Sequence, residues 1–349
     1  MSKIAKGTLF GCVHDFLKIY LPKQRRMSNN TIRAYQKALE LLFDFVKNHN
    51  DVHLGDVTFD MLTADTISAF LESLETERGC SISTRNNRLA AIKAFIAYAA
   101  AMDITAVAVQ TELDKVPKKK TTVISGVEYM SETAVSIVLE QPDATTEKGL
   151  RDRFLMILMY DTGARVQEII DIKLRDFRYG KTPTITLNGK GGKVRTVPIM
   201  DKTLMHLRQY ISIYHTSRIY NADFHLFYTV INGIPKPFSD RRVRDIVKEY
   251  GIRAREKSLE VPDNVHPHMF RHSRAMHLYQ HGMDLTLVSQ WLGHSNLETT
   301  LIYAHADTEH KRRAIENATS PNDPMYGKLN PSRFTVSDEE TLKRLYGLK

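Results

Sequence analysis

Residues 182–200 read TPTITLNGKGGKVRTVPIM. Ile185 and Leu187 alternate with polar neighbours, a glycine-rich turn follows, and Val194, Val197 and Ile199 resume the apolar positions. A period of two on either side of a glycine turn predicts a β-hairpin. It is the only strong β signal in the chain. The flanking sequence carries helical periodicity instead, so the fold class is mainly α with a small β-hairpin or sheet.

N-terminal to the hairpin, apolar residues recur at helical spacing in four stretches. They are Leu9, Val13, Phe16, Leu17 and Tyr20; then Ile32, Tyr35, Leu39, Leu42, Phe43 and Val46; then a segment capped near Thr63; then Leu89, Ile92, Phe95 and Ile96. Together they predict a helical domain over residues 1–110. VPKKKTTVIS, Val116 to Ser125, breaks the pattern with a proline, three consecutive lysines and β-branched residues. A basic linker is expected over 111–126. A mixed α/β domain is expected over 127–318 and a proline-containing C-terminal tail over 319–349. In the second domain, Ser131 to Leu139, the apolar 151–160, VQEIIDIKL from Val166 and RRVRDIVKEYGI from Arg241 read as helices. So does the segment ending at Gly282, and Ser295 and Glu298 have the spacing of a capping box opening the last helix.

The chain has 349 residues, 42% hydrophobic and 26% charged, which describes a globular protein. Lys and Arg number 49 against 40 Asp and Glu, a formal charge of +9 that favours a polyanionic partner. Two cysteines, Cys12 and Cys80, are too few for a disulfide framework and suit a reducing, cytoplasmic location. No signal peptide is evident. The most apolar run, Phe154 to Tyr160, is far too short to span a bilayer, so no membrane partner is expected.

HPHMFRHSRAMH, His266 to His277, crowds four histidines and two arginines into twelve residues. A metal site fits poorly. His268 and His272 lie four apart, but Met269 stands where a zinc-protease motif needs Glu, and Arg271 and Arg274 would repel a cation. A phosphate site fits better, because His268 and Arg271 are three apart and share a helix face. One can move a proton while the other holds oxygens in a fork. Taken alone, such a pair is more often a solvated helix surface. Context strengthens it: DTGAR supplies Arg165 after a glycine turn, NGKGGK supplies Lys190 or Lys193, and WLGHSNLETTLIYAHA supplies His294 and, nine residues on, Tyr303.

With TGARVQEI, GKGGKVRTVPI, HPHMFRHSRA and LGHSNLETTLIYAH in this order, the sequence resembles the tyrosine recombinase, or phage integrase, family. The resemblance runs from the N-terminal helices to about residue 318. It implies a two-domain clamp, in which a helical core DNA-binding domain and a mixed α/β catalytic domain close on a duplex. It also implies a catalytic set of Arg165, Lys190, His268, Arg271, His294 and Tyr303. Lys190 matches the family's hairpin lysine best, with Lys193 the alternative. His266, His272, His277 and His281 are expected to serve packing, helix surface and the C-terminal dipole.

The implied reaction is attack of tyrosine on a DNA phosphodiester, leaving a 3′-phosphotyrosyl bond and a free 5′-hydroxyl that another strand's hydroxyl replaces. Bond exchange needs no ATP, cofactor or metal. Arg165 and Arg271 would stabilise the non-bridging oxygens, His268 would act as general base, Lys190 would protonate the leaving oxygen and His294 would position the phosphate. Candidate DNA contacts are Arg33, Arg85, Arg88, Lys93, Lys118, Lys119, Lys120, Lys193, Arg241, Arg242 and Arg244. The partner implied is double-stranded DNA, bound by a homotetramer on paired sites, with room for accessory DNA-bending proteins and a nucleoid location when bound. The tail and basic linker lean toward a mobile-element integrase over a resolvase. The rival readings are a type IB topoisomerase-like relaxase and a catalytically silent DNA-binding partner.

Overall fold

The computed structural model describes residues 9–120, 127–189, 192–216, 221–294, 296–306, 312, 315, 319 and 338–347. The chain divides into two compact units, residues 1–124 and 125–349.

In the first unit α1 (Leu9–Asp15) runs on into a π-helical segment, Phe16–Gln24, that contains Pro22. Four helices follow: α2 (Asn29–His49), α3 (Ala64–Thr76), α4 (Ile82–Ala100) and α5 (Ile104–Asp114). Each begins on a side-chain cap. Ser28, Thr63, Ser81 and Asp103 accept hydrogen bonds from the backbone N–H groups of Thr31, Thr66, Thr84 and Thr105. The apolar faces read from sequence meet in one core around Phe16, Leu42, Phe70, Leu89, Ile92 and Phe95, with the rings of Phe16 and Phe95 edge-on at 5.5 Å.

One boundary differs from expectation. Thr111 to Asp114, read as the start of the linker, are the last residues of α5. Ala106, Val109 and Leu113 are buried while Ile104 and Val107 are exposed, so the helix has apolar residues on both sides and no clear stripe. Val116 is buried against the same core.

The second unit opens with α6 (Glu132–Glu140), α7 (Glu147–Thr162) and α8 (Val166–Asp171). The expected hairpin is there and carries a third strand: β1 (Phe177–Arg178), β2 (Thr184–Asn188) and β3 (Val194–Pro198) form an antiparallel sheet in that order. Ile185 pairs with Val197 and Leu187 with Arg195. Ile185, Leu187, Val197 and Ile199 are buried, whereas Val194 points out and is 61% exposed.

Two elements were not anticipated. Helix α9 (Asp201–Tyr214) buries Leu204, Leu207 and Tyr210, and a second hairpin joins β4 (Tyr228–Ile231) to β5 (Ile234–Pro237). The hairpin's residues are almost all exposed or half-exposed, so its strands show no alternation. Then come α10 (Asp240–Lys257), α11 (Pro267–Gln280), α12 (Leu285–Leu292), α13 (Glu298–Ala306) and, in the tail, α14 (Glu339–Leu345). Gly282, at φ +91°, follows the end of α11 as expected. Ser295, the expected cap of α13, lies outside the described residues; Asn296 accepts from the Glu298 N–H instead. Among the described residues no helix is long and apolar enough to cross a membrane.

Candidate active site

The motif DTGAR is the joint between α7 and α8. Asp161 accepts from the Met200 N–H and faces Arg274 at 3.4 Å, which ties the joint to the segment after β3 and to α11. Gly163 ends α7 in the left-handed region, at φ +57°. A Cβ there would lie 2.7 Å from Trp291, so the position requires glycine both for its backbone and for its neighbour. Arg165 then caps α8.

Glu168, only 2% exposed, organises the cations around it. It accepts the Arg165 backbone N–H at 2.8 Å and the Arg165 guanidinium at 3.1 Å. It also takes both prongs of Arg195, from β3, at 2.7 and 2.8 Å. Burial alone would raise its pKa. The Arg195 hydrogen bonds and charge, with the Arg165 N–H and charge, more than offset that and hold the carboxyl below its usual range. Gly293, at φ +67°, leaves room for Arg195, whose Cδ would be 3.0 Å from a Cβ there.

Arg271 is 4% exposed. Its Nη1 donates to the Gly163 carbonyl at 2.6 Å and its Nη2 to the Leu292 carbonyl at 2.7 Å. Burial first, then Arg165 and Arg195, press its pKa down to about 9, which leaves it cationic at neutral pH.

Tyr303 lies on α13 and is 1% exposed, packed with Ala275, Met276, Val288 and Leu292. Burial pushes its hydroxyl up to about 12, against the opposing pull of Arg271 and Arg165. Its oxygen is 2.9 Å from Nδ1 of His272. His294, after α12, is 2.7 Å through Nδ1 from the Thr300 hydroxyl; burial, Arg271, Arg165, His272 and Arg195 bring its pKa down to about 4. His268 stands on the exposed side of α11. Its pKa is lowered by partial burial, then by His266, Arg271, Arg244 and Arg165.

Five of the six expected residues therefore gather where α8, α11, the α12 terminus and α13 meet. Lys190, the sixth, lies outside the described residues. Lys193 is exposed on the β2–β3 turn, and its carbonyl accepts from the Gly189 N–H. Sequence reasoning missed Glu168, Arg195 and His272. The first could have been found from the i, i+3 spacing of Arg165 and Glu168, and the second from its strand pairing. His272, expected with His266, His277 and His281 to serve packing, helix surface or the C-terminal dipole, is half-buried with its Nδ1 on the Tyr303 hydroxyl. His277 is 3% exposed with its ring on the Tyr160 hydroxyl at 2.7 Å, and His281 bonds the His277 carbonyl at the end of α11. Among the described residues no group of three or more His, Cys, Asp or Glu is placed to hold a metal ion.

The candidate DNA contacts divide. Arg33, Lys118, Lys120, Arg241 and Arg242 are exposed, and Arg244 is exposed while held by Asp240. Arg85 is not at the surface. It is 6% exposed, donates to the Pro117 carbonyl at 3.1 Å and sits 3.5 Å from Glu75. Lys93 donates to the Val116 carbonyl at 3.0 Å, Lys119 pairs with Glu75 at 2.7 Å, and Arg88 donates to the Cys80 sulfur at 3.2 Å. These four tie down the end of the first unit and the start of α4, and for Arg85 the expected phosphate contact is corrected to a buried structural role.

Comparisons with known proteins give the chain's family. The phage integrase family matches residues 128–310, and the phage integrase N-terminal SAM-like domain matches residues 14–102. A putative integrase/recombinase, y4rC, of Sinorhizobium fredii (strain NBRC 101917 / NGR234) is 30% identical over 335 residues, covering 95% of this chain and 96% of its own. The tyrosine recombinase XerD of Staphylococcus haemolyticus (strain JCSC1435) is 29% identical over 324 residues, covering 91% and 98%. Among solved structures, the XerH site-specific recombinase bound to its difH substrate superposes with a TM-score of 0.63 at 22% identity, covering 89% of this chain and 88% of that one. That likeness is one of fold.

Proposed function

The chain belongs to the phage integrase family and is a tyrosine recombinase, an enzyme that cuts and rejoins DNA, and from that premise we propose how its own residues divide the reaction. Tyr303 attacks the phosphodiester; its oxygen bonds to phosphorus as the bond to the 5′-oxygen breaks. Arg165 and Arg271 stabilise the charge that builds on the non-bridging oxygens, where loss of one such donor typically costs ~10²–10³ in rate. His268 and His294 line the phosphate. Lys190 gives the departing 5′-oxygen its proton.

The observation that carries this reading is the placement of the Tyr303 hydroxyl within the fields of both Arg271 and Arg165, each of which favours the tyrosinate. The substrate we propose is a pair of duplex DNA sites bound by four copies, since complete exchange needs four strand cuts. The exposed Arg33, Lys118, Lys120, Arg241 and Arg242 supply contacts to phosphate that fix position without reading sequence. Integration or excision of a mobile element is favoured over resolution by the basic Lys118–Lys120 run and the length of the sequence after residue 318.

The test is covalent capture. The protein is mixed with fragmented DNA from its own source in EDTA, quenched with SDS, and the attached DNA is sequenced. Enrichment of one site that vanishes in Tyr303→Phe supports the reading and identifies the target. Equal capture by Tyr303→Phe overturns it.

A further inference from the structure

Among the described residues the hydroxyl of Tyr303 hydrogen-bonds one histidine, and it is neither of the two that the family resemblance assigns. His272 Nδ1 lies 2.9 Å from the tyrosine oxygen, with the rings tilted at 57° and their centroids 5.9 Å apart. Among the described residues no side-chain hydrogen bond joins His268 to Tyr303. His272 follows Arg271 directly on α11, so the imidazole and the guanidinium leave the helix about 100° apart. One turns toward the nucleophile while the other turns toward Gly163 and Leu292.

We infer that His272 positions Tyr303 for attack and accepts its phenolic proton, an inference that rests on Tyr303 being the nucleophile. As the bond from Tyr303 to phosphorus forms and the bond to the 5′-oxygen breaks, the proton passes from the phenol to Nδ1. The leaving 5′-oxygen takes its proton from the hairpin lysine. When an incoming 5′-hydroxyl attacks the phosphotyrosine, its proton goes to that lysine, and the imidazolium returns the stored proton to the departing tyrosine. Both directions balance without a co-reactant.

The local electrostatics fit a base that works only with substrate in place. Burial, then His268, Arg271 and His266, bring the His272 pKa down to about 4. The groups that face it are His268 and Arg271 from its own helix, His266 at that helix's N-cap, His294 from beyond α12 and Tyr303 from α13. At neutral pH the ring is uncharged, and its Nδ1 accepts when the proton sits on Nε2. With the phenol held up and the imidazole held down, free transfer is strongly disfavoured. A phosphodiester alters both values at once. Its negative charge counters Arg271 and stabilises an imidazolium, while the forming bond to phosphorus acidifies the phenol.

Two experiments on the full-length protein test this. Nitrogen NMR without DNA should find His272 as the Nε2–H tautomer, with an Nδ1 resonance that shifts in Tyr303→Phe; an Nδ1–H tautomer, or no shift, overturns the assignment. The second measures single-turnover cleavage of a nicked duplex of the captured site, which prevents religation, from pH 6 to 9. His272→Ala should slow cleavage at pH 7 by ~10²–10³-fold, with the deficit shrinking at higher pH as hydroxide takes over the proton. His272→Asn keeps an acceptor near Nδ1 but cannot be protonated, so it should fall between Ala and the parent. Parent-like cleavage by His272→Ala, a pH profile parallel to the parent's, or loss of DNA binding by both variants would overturn the proposal. An adduct that persists in Tyr303→Phe would instead remove the nucleophile assignment beneath it.

Discussion

Arg195 places both prongs of its guanidinium on the carboxylate of Glu168, and Arg165 shares the same oxygen. A strand of the sheet and the start of α8 are thereby locked around one buried anion. Removing that anion leaves two cations facing each other. Glu168→Ala should lose ~3–5 kcal/mol of stability, as expected when one partner of a buried pair is deleted. Urea unfolding of the variant against the parent measures it.

Gly163→Ala combines two faults, a left-handed backbone and a Cβ against Trp291. Strain of ~1–3 kcal/mol is expected from the first, with a comparable amount from overpacking. Trp291 is the chain's single tryptophan, so its emission reports on this point alone. The variant should show a shifted emission maximum and a lowered melting temperature together.

Acid should weaken the second unit. His272 and His294 are held near 4, against about 6.5 in an unfolded chain. Between those values the unfolded state binds protons that the folded state refuses, so stability falls as pH drops from about 6.5 toward 4. The slope is at most ~1.4 kcal/mol per pH unit for each ring. Glu168, whose pKa is depressed, contributes stability that disappears only at lower pH, as its carboxylate is protonated. Unfolding midpoints followed by Trp291 emission at a series of pH values should show this fall, and His294→Gln should make it shallower.

The basic residues of the two units should separate by assay. Arg85→Ala should lower stability by ~3 kcal/mol or more by leaving Glu75 with a weaker partner and the Pro117 carbonyl without its donor. Arg33→Ala, Arg241→Ala and Arg242→Ala should leave melting unchanged. Where such a residue touches phosphate, its loss should reduce the slope of log affinity against log salt by ~0.9. Salt titration of DNA binding, paired with thermal melts, distinguishes the two classes.

Much of this architecture was legible because it depends on local chemistry. Thr63 announces a helix start, and Ile185 and Leu187 announce a half-buried strand. Helix α5 was hidden because Ile104 and Val107 are exposed opposite its buried face. The β4–β5 hairpin lacks a buried side, yet its tip was readable: Asn232 and Gly233 both adopt positive φ, as that dipeptide favours in two-residue turns. Arg165, His268, Arg271, His294 and Tyr303 could be picked out because their order along the chain is distinctive. What spacing could not show is direction. Arg85 looks like a surface cation in the sequence and points inward, while His272 looks like a surface imidazole and meets the hydroxyl of Tyr303. The spacing of Arg165 and Glu168 hints at a pair, but not at the second arginine, which a strand supplies from 27 residues away.

The two carbonyls that hold Arg271 close α7 and α12, so one side chain rivets together the ends of two helices. Its aim is inherited from those ends and is only as firm as their last turns. Helix termini fray at temperatures below global melting. With Arg271 in the phosphate-holding role proposed above, the rate of cleavage should decline on warming while the cores remain folded, giving the enzyme a working ceiling beneath its structural one.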